Sequence, residues 1–460
     1  MTEQYKMNFN DENPLRQRLL SAQFIFLVEY ELSAKDDNIS RVFEEVNGIC
    51  EYSAENQGIA AICLTDKLAG EESLDPLELS PKIVSRSGKA PIINVTGKGH
   101  NILSVRERLA SLSSEGINNI LAVTGNLDEN YDQYCDSVEI IKQAKSMGKN
   151  FFIGAAVNPY KYRVNDSYGQ YFKMISKIKA GADFIVTQTG WDMKKLHELV
   201  LFSKMRDINV PLIARLSLIS NEDGEKFSNL SIDPGVTVSR EFASLIQREM
   251  ASGNQFMATQ LKRLCLQIVG CSLMGYTGVQ ICGLKTAYEI ETVMNTAKVM
   301  MGDFRTFREW VDEWDAFHHG IEMTTSPYNF YMFRNLLSLK NKNENEDNFQ
   351  LSEASFDEVS FPDQLKYKIA ATLSLENKRG FGGRVLRKVL SGDSDEAIMD
   401  LSKTQYISLN KCPKKLVYGP CSGSQIDGGC ENGEVACVHN ERISMAALNN
   451  ELDNLENPDV

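Results

Sequence analysis

Short apolar runs alternate with longer amphipathic stretches from about residue 20 to residue 300. Stretches with helical spacing, such as 104–114, 134–147 and 171–180, separate runs of strand length. The eight apolar runs span residues 24–32, 59–65, 90–96, 117–124, 151–157, 184–187, 211–217 and 278–282. Eight strands with intervening helices predict a (β/α)8 TIM barrel, and an open doubly wound sheet is the alternative that fits the same alternation.

The pattern changes after residue 300. Two aromatic segments, 304–317 and 328–339, have helical spacing, and a further predicted helix covers 364–390. The stretch 340–363 is charged, rich in Asn and interrupted by Pro362, which is typical of a connector. We therefore expect a barrel over residues 15–300 and a smaller, mainly helical domain over 301–460, with a linker near 340–363 and a cysteine module at 411–440.

Polar residues end the predicted strands, and a barrel collects its active site at those ends. Such residues occur at six strand ends in succession, which is more than ordinary turn chemistry explains. They are Glu29 and Glu31, Thr65 and Asp66, Asn94 and Thr96, Thr124 with Gly125 and Asn126, Asn158, and Thr187 with Gln188. The sequence therefore predicts a polar site at one mouth of the barrel.

Two carboxylates, Glu29 and Glu31, lie two residues apart on the first predicted strand. Side chains at this spacing face the same side of a strand, which in a barrel is the interior. Because burial raises the pKa of a carboxyl group, the pair predicts a general acid that works near neutral pH. The alternative is a pair of solvated carboxylates on an edge strand.

Four of the ten cysteines lie near the end of the chain, at Cys412, Cys421, Cys430 and Cys437, among Gly and Pro residues that bend the backbone. Thiolates bind zinc and iron–sulfur centres, so we predict one metal site with these ligands. The intervals of eight, eight and six residues do not choose between the two metals, and His439 could replace one ligand. Two disulfides in a secreted domain are the alternative. The lack of an apolar leader and the six scattered cysteines favour a reduced, cytoplasmic protein instead.

Composition excludes some classes of function. With 460 residues, 42% of them apolar, the chain can bury a large core. The formal net charge of −13 argues against nucleic-acid binding, because a phosphate backbone attracts clustered Lys and Arg. No run approaches the roughly 20 apolar residues that cross a bilayer, so no membrane span is expected.

Two sets of motifs occur in the order typical of one enzyme family. The tail reads CPK, GPCSG, GGCE and a final cysteine between residues 412 and 437, and the barrel contains KIKAGADFIVTQ at 177–188. Over about residues 15–300 the chain resembles methylenetetrahydrofolate reductases of the bacterial type. Over roughly 305–440 it resembles the cysteine-containing C-terminal domain found with that enzyme. The resemblance implies a barrel that binds a flavin and a folate.

The resemblance also implies roles for single residues. Glu31, after the aromatic Tyr30, matches the catalytic glutamate that helps to protonate N10 of the folate, and Glu29 is the less favoured choice. Gln188 matches a glutamine that contacts the pterin, a task that suits an amide because it donates and accepts at once. The implied contacts with the flavin are Thr65, Asn94, Thr124, Gly125, Tyr134, Cys135, Asn158, Tyr162 and Lys177.

The chain departs from the family pattern at several places. Asn126 stands where the family has an aspartate beside the flavin and the folate, so the position keeps its hydrogen bonding and loses its charge. Ser33, Ala34 and Lys35 replace two prolines after the glutamate, and residues 283–286 read GLKT in place of TLNR. Residues 390–410 lack the extra cysteines of related tails, which leaves one metal site at most.

The activity implied by the resemblance is the flavin-dependent reduction of 5,10-methylenetetrahydrofolate to 5-methyltetrahydrofolate. FAD is the expected cofactor, with FMN as the alternative, and the electrons come from NAD(P)H or from a protein partner through the tail. The competing hypothesis is a folate- or corrinoid-associated binding or methyl-transfer component without redox activity, motivated by Asn126. A tail that serves only assembly, with structural zinc, and a homo-oligomeric state are left open.

Overall fold

Eight parallel strands close into a barrel in the computed structural model, which describes residues 13–32, 39–66, 74–148, 150–334, 336–337, 350–372, 402–433 and 435–457. The barrel strands are β1 (Ile25–Tyr30), β2 (Ile59–Leu64), β3 (Ile92–Thr96), β4 (Asn119–Val123), β5 (Phe152–Val157), β6 (Phe184–Thr187), β7 (Leu212–Ser217) and β10 (Gly278–Cys282). Two short strands, β8 (Ser231–Asp233) and β9 (Val236–Thr237), form a separate antiparallel pair. Because β1 pairs with both β2 and β10, the sheet has no free edge, and the predicted barrel is confirmed over the open sheet.

Helices surround the barrel and cover one of its ends. They are α1 (Pro14–Leu19), α2 (Ile39–Glu55), α3 (Pro76–Ser87), α4 (Ile102–Ser114), α5 (Ser137–Ser146), α6 (Val164–Ala180), α7 (Met193–Met205), α8 (Asn221–Lys226), α9 (Arg240–Met250), α10 (Phe256–Met274) and α11 (Ala287–Met301). Local sequence sets their ends: a capping box between Asp75 and Glu78 begins α3, and Gly88 ends it at a φ of 67°.

Alternation along β1 sorts its side chains into two layers. Ile25 and Leu27 pack with the residues inside the barrel, whereas Phe26 and Val28 pack under the helices. The same alternation turns Glu29 to the interior. At the opposite end of the barrel from the strand carboxyl termini, α1 adds its buried leucines to the interior cluster.

The region after the barrel contains α12 (Phe307–Phe317), α13 (Phe361–Thr372) and α14 (Val438–Leu448). The predicted helix at 304–317 is present as α12, and the prediction at 364–390 is matched by α13 as far as Thr372. Residues 340–349 of the predicted linker and residues 373–401 lie outside the described residues. In the described parts of the chain, no helix has the length and apolar character to cross a bilayer.

The helix predicted at 328–339 is wrong for the residues that the structure describes. This stretch instead runs as turns and extended chain, with an isolated bridge between Phe333 and Leu351. Buried carboxylates outside the barrel compete for its polar groups: the Met332 amide donates to Glu198 Oε2 at 2.6 Å, and Tyr331 Oη donates to Asp192 Oδ2 at 2.6 Å. Tertiary hydrogen bonds therefore override the aromatic helical spacing.

Candidate active site

The carboxyl ends of the parallel strands meet at one mouth of the barrel. Hydrogen bonds join neighbouring ends of this rim. The Leu32 amide donates to Thr65 Oγ1 at 2.8 Å, and the Thr96 amide donates to Asp66 Oδ2 at 2.9 Å. The predicted polar residues after β1, β2 and β3 therefore lie on one continuous edge.

A buried ion pair lies inside the barrel just below the rim. Glu29 is 3% exposed, and Arg215 on β7 donates to both of its oxygens, from Nε at 2.8 Å and from Nη2 at 2.7 Å. Gln280 on β10 donates to the same carboxylate. Burial acts to raise the pKa of Glu29, but the charge and hydrogen bonds of Arg215 and the hydrogen bond of Gln280 outweigh it, so the pKa lies below its ordinary value.

The two glutamates of the first strand therefore differ. Glu29 is ionised and fully paired, so the expected buried carboxyl with a raised pKa is wrong for this residue. Glu31 is exposed at the mouth, and its charge helps to raise the pKa of Arg215. Of the two carboxyls, Glu31 is thus the one that a ligand in the mouth could reach.

A second ion pair supports the rim between β2 and β3. Arg108 on α4 donates to Asp66 at 2.9 Å and to Asp75 at 3.0 Å. This contact holds the carboxylate that binds the Thr96 amide. On β3 itself, Asn94 Oδ1 is buried and has no hydrogen-bond partner among the described residues. An unpaired buried acceptor is costly, and an N–H donor of a bound ligand would satisfy it.

The loop after β4 is fixed from two sides. Gly125 has a φ of 85°, and a Cβ there would meet Thr96 Oγ1 at 2.8 Å, so the position requires glycine. The hydroxyl of Thr124 accepts from the Ser137 amide at 3.2 Å. Asn126, the next residue of the loop, is exposed. The predicted residues of this loop therefore differ in access, and Asn126 is the most open of the three.

The cysteine module contacts this same loop. Lys414 Nζ donates to the Gly125 carbonyl at 2.8 Å and to Glu431 Oε2 at 2.5 Å. Glu431 Oε1 in turn accepts from the Leu127 amide at 2.6 Å. Both charged side chains are 4% exposed. The module thus holds the backbone on either side of Asn126 with a buried ion pair.

Tyr134 and Cys135 follow the loop. Tyr134 Oη accepts from the Asp128 amide at 2.8 Å, and its ring lies 5.5 Å from the Lys414 ammonium. Cys135 is buried, and its amide donates to the Gly97 carbonyl at 2.9 Å. These contacts tie both residues to the rim, and the flavin contacts implied for them stay predictions.

Three further predicted cofactor contacts are occupied by protein partners. Asn158 is fully buried, and its amide nitrogen donates to the carbonyls of Gly235 and Ser422. Tyr162 Oη donates to Asp192 Oδ2 at 3.0 Å, and Lys177 Nζ donates to the Ala156 carbonyl at 2.5 Å. In this arrangement Asn158 joins the barrel to the tail. The flavin contacts implied for the three residues stay predictions.

The four tail cysteines are neighbours. Burial raises the pKa values of Cys412, Cys430 and Cys437, and the charge of Cys421 raises each of them further. All ten cysteines of the chain are free thiols. In the described chain, however, no group of three or more His, Cys, Asp or Glu residues is arranged to hold a metal ion. The donor chemistry suits zinc or iron–sulfur, the arrangement does not form a closed ligand set, and we assign no step of a reaction to a metal.

A cavity of about 770 Å³ lies on another side of the tail. Its walls come from Arg163 in the loop after β5, the segments 357–367 and 405–411, the cysteine module and α14, and they carry charges of both signs. Among the predicted site residues, only Cys437 lines it. The cavity therefore shares no predicted rim residue with the barrel mouth.

Sequence reasoning missed the residues that organise this site. Arg215 and Gln280 each interrupt an apolar strand, and a polar residue within a buried run is a signal that could have singled them out. Glu431 was visible only as the last residue of the tail motif GGCE. Its partner Lys414 was visible only as part of a tail motif.

Two family models match the chain, one over the barrel and one over the tail. A sequence model of the family described as Methylenetetrahydrofolate reductase matches residues 29–271, which is more than half of the chain. A second family, described as Methylene-tetrahydrofolate reductase C terminal, matches residues 399–459. The first match covers the barrel from the end of β1 through most of α10, and the second covers the cysteine module.

One solved structure is described as "Uncharacterized protein from Clostridium thermocellum binds two copies of 5-methyl-5,6,7,8-tetrahydrofolic acid". It is 16% identical to this chain, with a TM-score of 0.48, and the match covers 63% of this chain and 100% of that one. No curated protein matches the sequence.

Proposed function

The chain belongs to the methylenetetrahydrofolate reductase family, and on this basis we propose that it reduces 5,10-methylenetetrahydrofolate to 5-methyltetrahydrofolate with a bound flavin. The observation that carries the proposal is the rim of the family-matched barrel. It places Glu31 at the mouth, near the interior pair of Glu29 and Arg215, which in turn contacts Gln188. An accessible carboxyl and a fixed amide are thus held around one opening.

The uncharged part of the rim supports a flavin there. Thr65, Asn94 and Asn126 offer hydroxyl and amide groups, and the buried Asn94 Oδ1 needs a donor. When bound, the flavin supplies the hydride for the methylene carbon of the folate. FAD is our proposal for the cofactor, and NAD(P)H or a protein partner is our proposal for the electron source.

Glu31 is our proposed proton donor to N10 of the folate, a step that opens the five-membered ring to a cationic 5-iminium group. The carboxylate left behind would face this cation across the mouth. Glu29 neutralises Arg215 beneath it, so the interior adds no net positive charge that would repel the cation.

Absorption spectroscopy of anaerobically purified protein tests the proposal. We expect a flavin spectrum, and we expect 5,10-methylenetetrahydrofolate to reoxidise the reduced flavin. Glu31→Gln should abolish this reoxidation and keep the flavin spectrum. Glu107→Gln, which changes an exposed carboxylate on α4, is the control that should leave both unchanged. Equal loss of flavin and activity in Glu31→Gln would mean that the residue is structural.

Asn126 favours a second candidate, a folate- or corrinoid-associated binding or methyl-transfer component without redox chemistry. The position has no charge to tune a flavin, and the tail holds its backbone on both sides. A colourless protein that stays free of flavin after incubation with FAD would support this candidate. Metal analysis of the same sample tests the separate proposal of zinc or an iron–sulfur centre at the tail cysteines.

A further inference from the structure

The carboxamide of Gln188 is held in one orientation. Its Oε1 accepts from Arg215 Nη1 at 3.2 Å and from the Thr189 amide at 3.0 Å. Both partners are obligatory donors, so the network assigns the oxygen to this side and the NH2 group to the other. The NH2 group has no partner among the described residues, and Gln188 is half-buried at the rim.

The ion pair with Glu29 holds Arg215 in place beside Gln188. Two of its nitrogens bind the buried carboxylate of Glu29, and the third binds both Gln188 Oε1 and Thr189 Oγ1, the latter at 2.7 Å. The planar guanidinium can make these contacts at once because its donors point in set directions. A lysine in the same place could keep the charge opposite Glu29 but not the whole set of contacts.

We propose that Arg215 is a positioning residue of the folate site, which acts through Gln188 by turning its NH2 group toward the ligand. This inference rests on the proposed function and narrows it. With its oxygen occupied, Gln188 can only donate to the ligand, so it recognises an acceptor on the pterin ring, a ring nitrogen or the carbonyl oxygen. Gln188 is expected from the sequence to donate to the pterin and to accept from it, whereas in this inference it only donates.

A double-mutant cycle tests the inference, with 5-methyltetrahydrofolate as the probe and titration calorimetry as the measurement. We expect Arg215→Lys to weaken binding about tenfold, the usual scale for one well-placed hydrogen bond. Gln188→Met should weaken it at least as much. In the Gln188→Met background, Arg215→Lys should have no further effect, because its route to the ligand is already gone.

Two controls separate positioning from general damage. Arg263→Lys changes another buried arginine, paired with Glu249 on α9, and should leave folate binding unchanged. Flavin affinity should also stay the same in Arg215→Lys. If circular dichroism shows that Arg215→Lys is unfolded, the double variant Glu29→Met and Arg215→Met removes the whole ion pair and takes its place in the cycle.

The outcomes are distinct. The positioning role would be overturned if the losses of folate affinity in the two single variants add in the double variant, or if Arg215→Lys binds folate with full affinity. Binding of folate by the wild-type protein would still support the folate site. A wild-type protein that does not bind 5-methyltetrahydrofolate would overturn both proposals. A protein that binds the folate with the expected coupling but reduces nothing would keep the inference and remove the reductase activity.

Discussion

The two glutamates of the first strand differ in chemistry because their surroundings differ. Glu29 lies where the strand is still covered, and Arg215 and Gln280 keep it charged. Glu31, two residues on, is beyond the end of β1 and open to the mouth. Identical side chains of the same alternation can thus serve as a structural anion and as an accessible acid or base, because the barrel covers one of them and leaves the other exposed.

The lowered pKa of Lys177 predicts how the stability of the protein depends on pH. Burial and the charge of Lys173 lower its pKa to about 7, against the opposing charge of Asp136, while the ordinary value is 10.5. Unfolding should therefore take up a proton between these two pH values, and stability should rise with pH across that window. We expect the urea midpoint of the wild type to be higher at about pH 9 than at about pH 7, and we expect this rise to be larger than the rise in Lys177→Met.

The exposed Lys179 on the same helix provides the matched control for this experiment. Lys179→Met should keep the pH dependence of the wild type. The same dependence in Lys177→Met would show that the buried amine of Lys177 is not its source.

At the scale of elements, the cysteine module acts on the loop after β4. Lys414 and Glu431 bind a carbonyl and an amide on either side of Asn126, and their own ion pair is buried. A buried pair of this kind constrains geometry, because losing one partner leaves the other charge without compensation. The module therefore sets the position of a loop that is part of the proposed flavin site.

Removal of the Lys414 charge should loosen this loop. In Lys414→Met we expect the Leu127 amide, which donates to Glu431, to exchange with solvent at least about tenfold faster, since a charge-assisted hydrogen bond contributes about 1.5–3 kcal/mol. Hydrogen exchange by mass spectrometry measures it. Lys411→Met, an exposed lysine of the same segment, should exchange like the wild type. Unchanged exchange in Lys414→Met would show that the contact does not constrain the loop.

Across the whole molecule, barrel and tail share buried polar groups. Lys161 Nζ, on a side chain 4% exposed, donates to the Ser424 carbonyl at 2.6 Å. Asn165 donates to the Asn440 carbonyl at 2.9 Å, and Lys173 Nζ to the Gly419 carbonyl at 3.2 Å. Each would lose a partner without the tail, and buried polar groups without partners are costly.

A chain that ends at Met301 should therefore not fold on its own. We expect little soluble protein and no cooperative thermal transition by circular dichroism. Co-expression of residues 302–460 should restore both, since it returns the missing carbonyls. A truncated barrel that melts cooperatively at the temperature of the full chain would contradict this view of one folding unit.

The sequence alone determined the eight strands and the polar residues that end them, and the tertiary structure decided that the strands close into a barrel and not an open sheet. Apolar runs of strand length and amphipathic helices are local signals, so all eight strands were predicted within a few residues, and parallel strands bring their ends to one mouth by geometry. Local signals also misled: the aromatic spacing of 328–339 is not helical in the described residues, because buried carboxylates bind that segment.

Only the tertiary structure decided how the site is held. Arg215 and Glu29 are 186 positions apart, and Lys414 and Gly125 are 289 apart. Such pairs leave no periodic trace in the chain, since either partner alone is only a polar residue among apolar ones or a lysine near a cysteine. Which of two glutamates is buried against Arg215, and which way the Gln188 amide faces, depends on contacts that exist once the barrel has closed and the tail has docked.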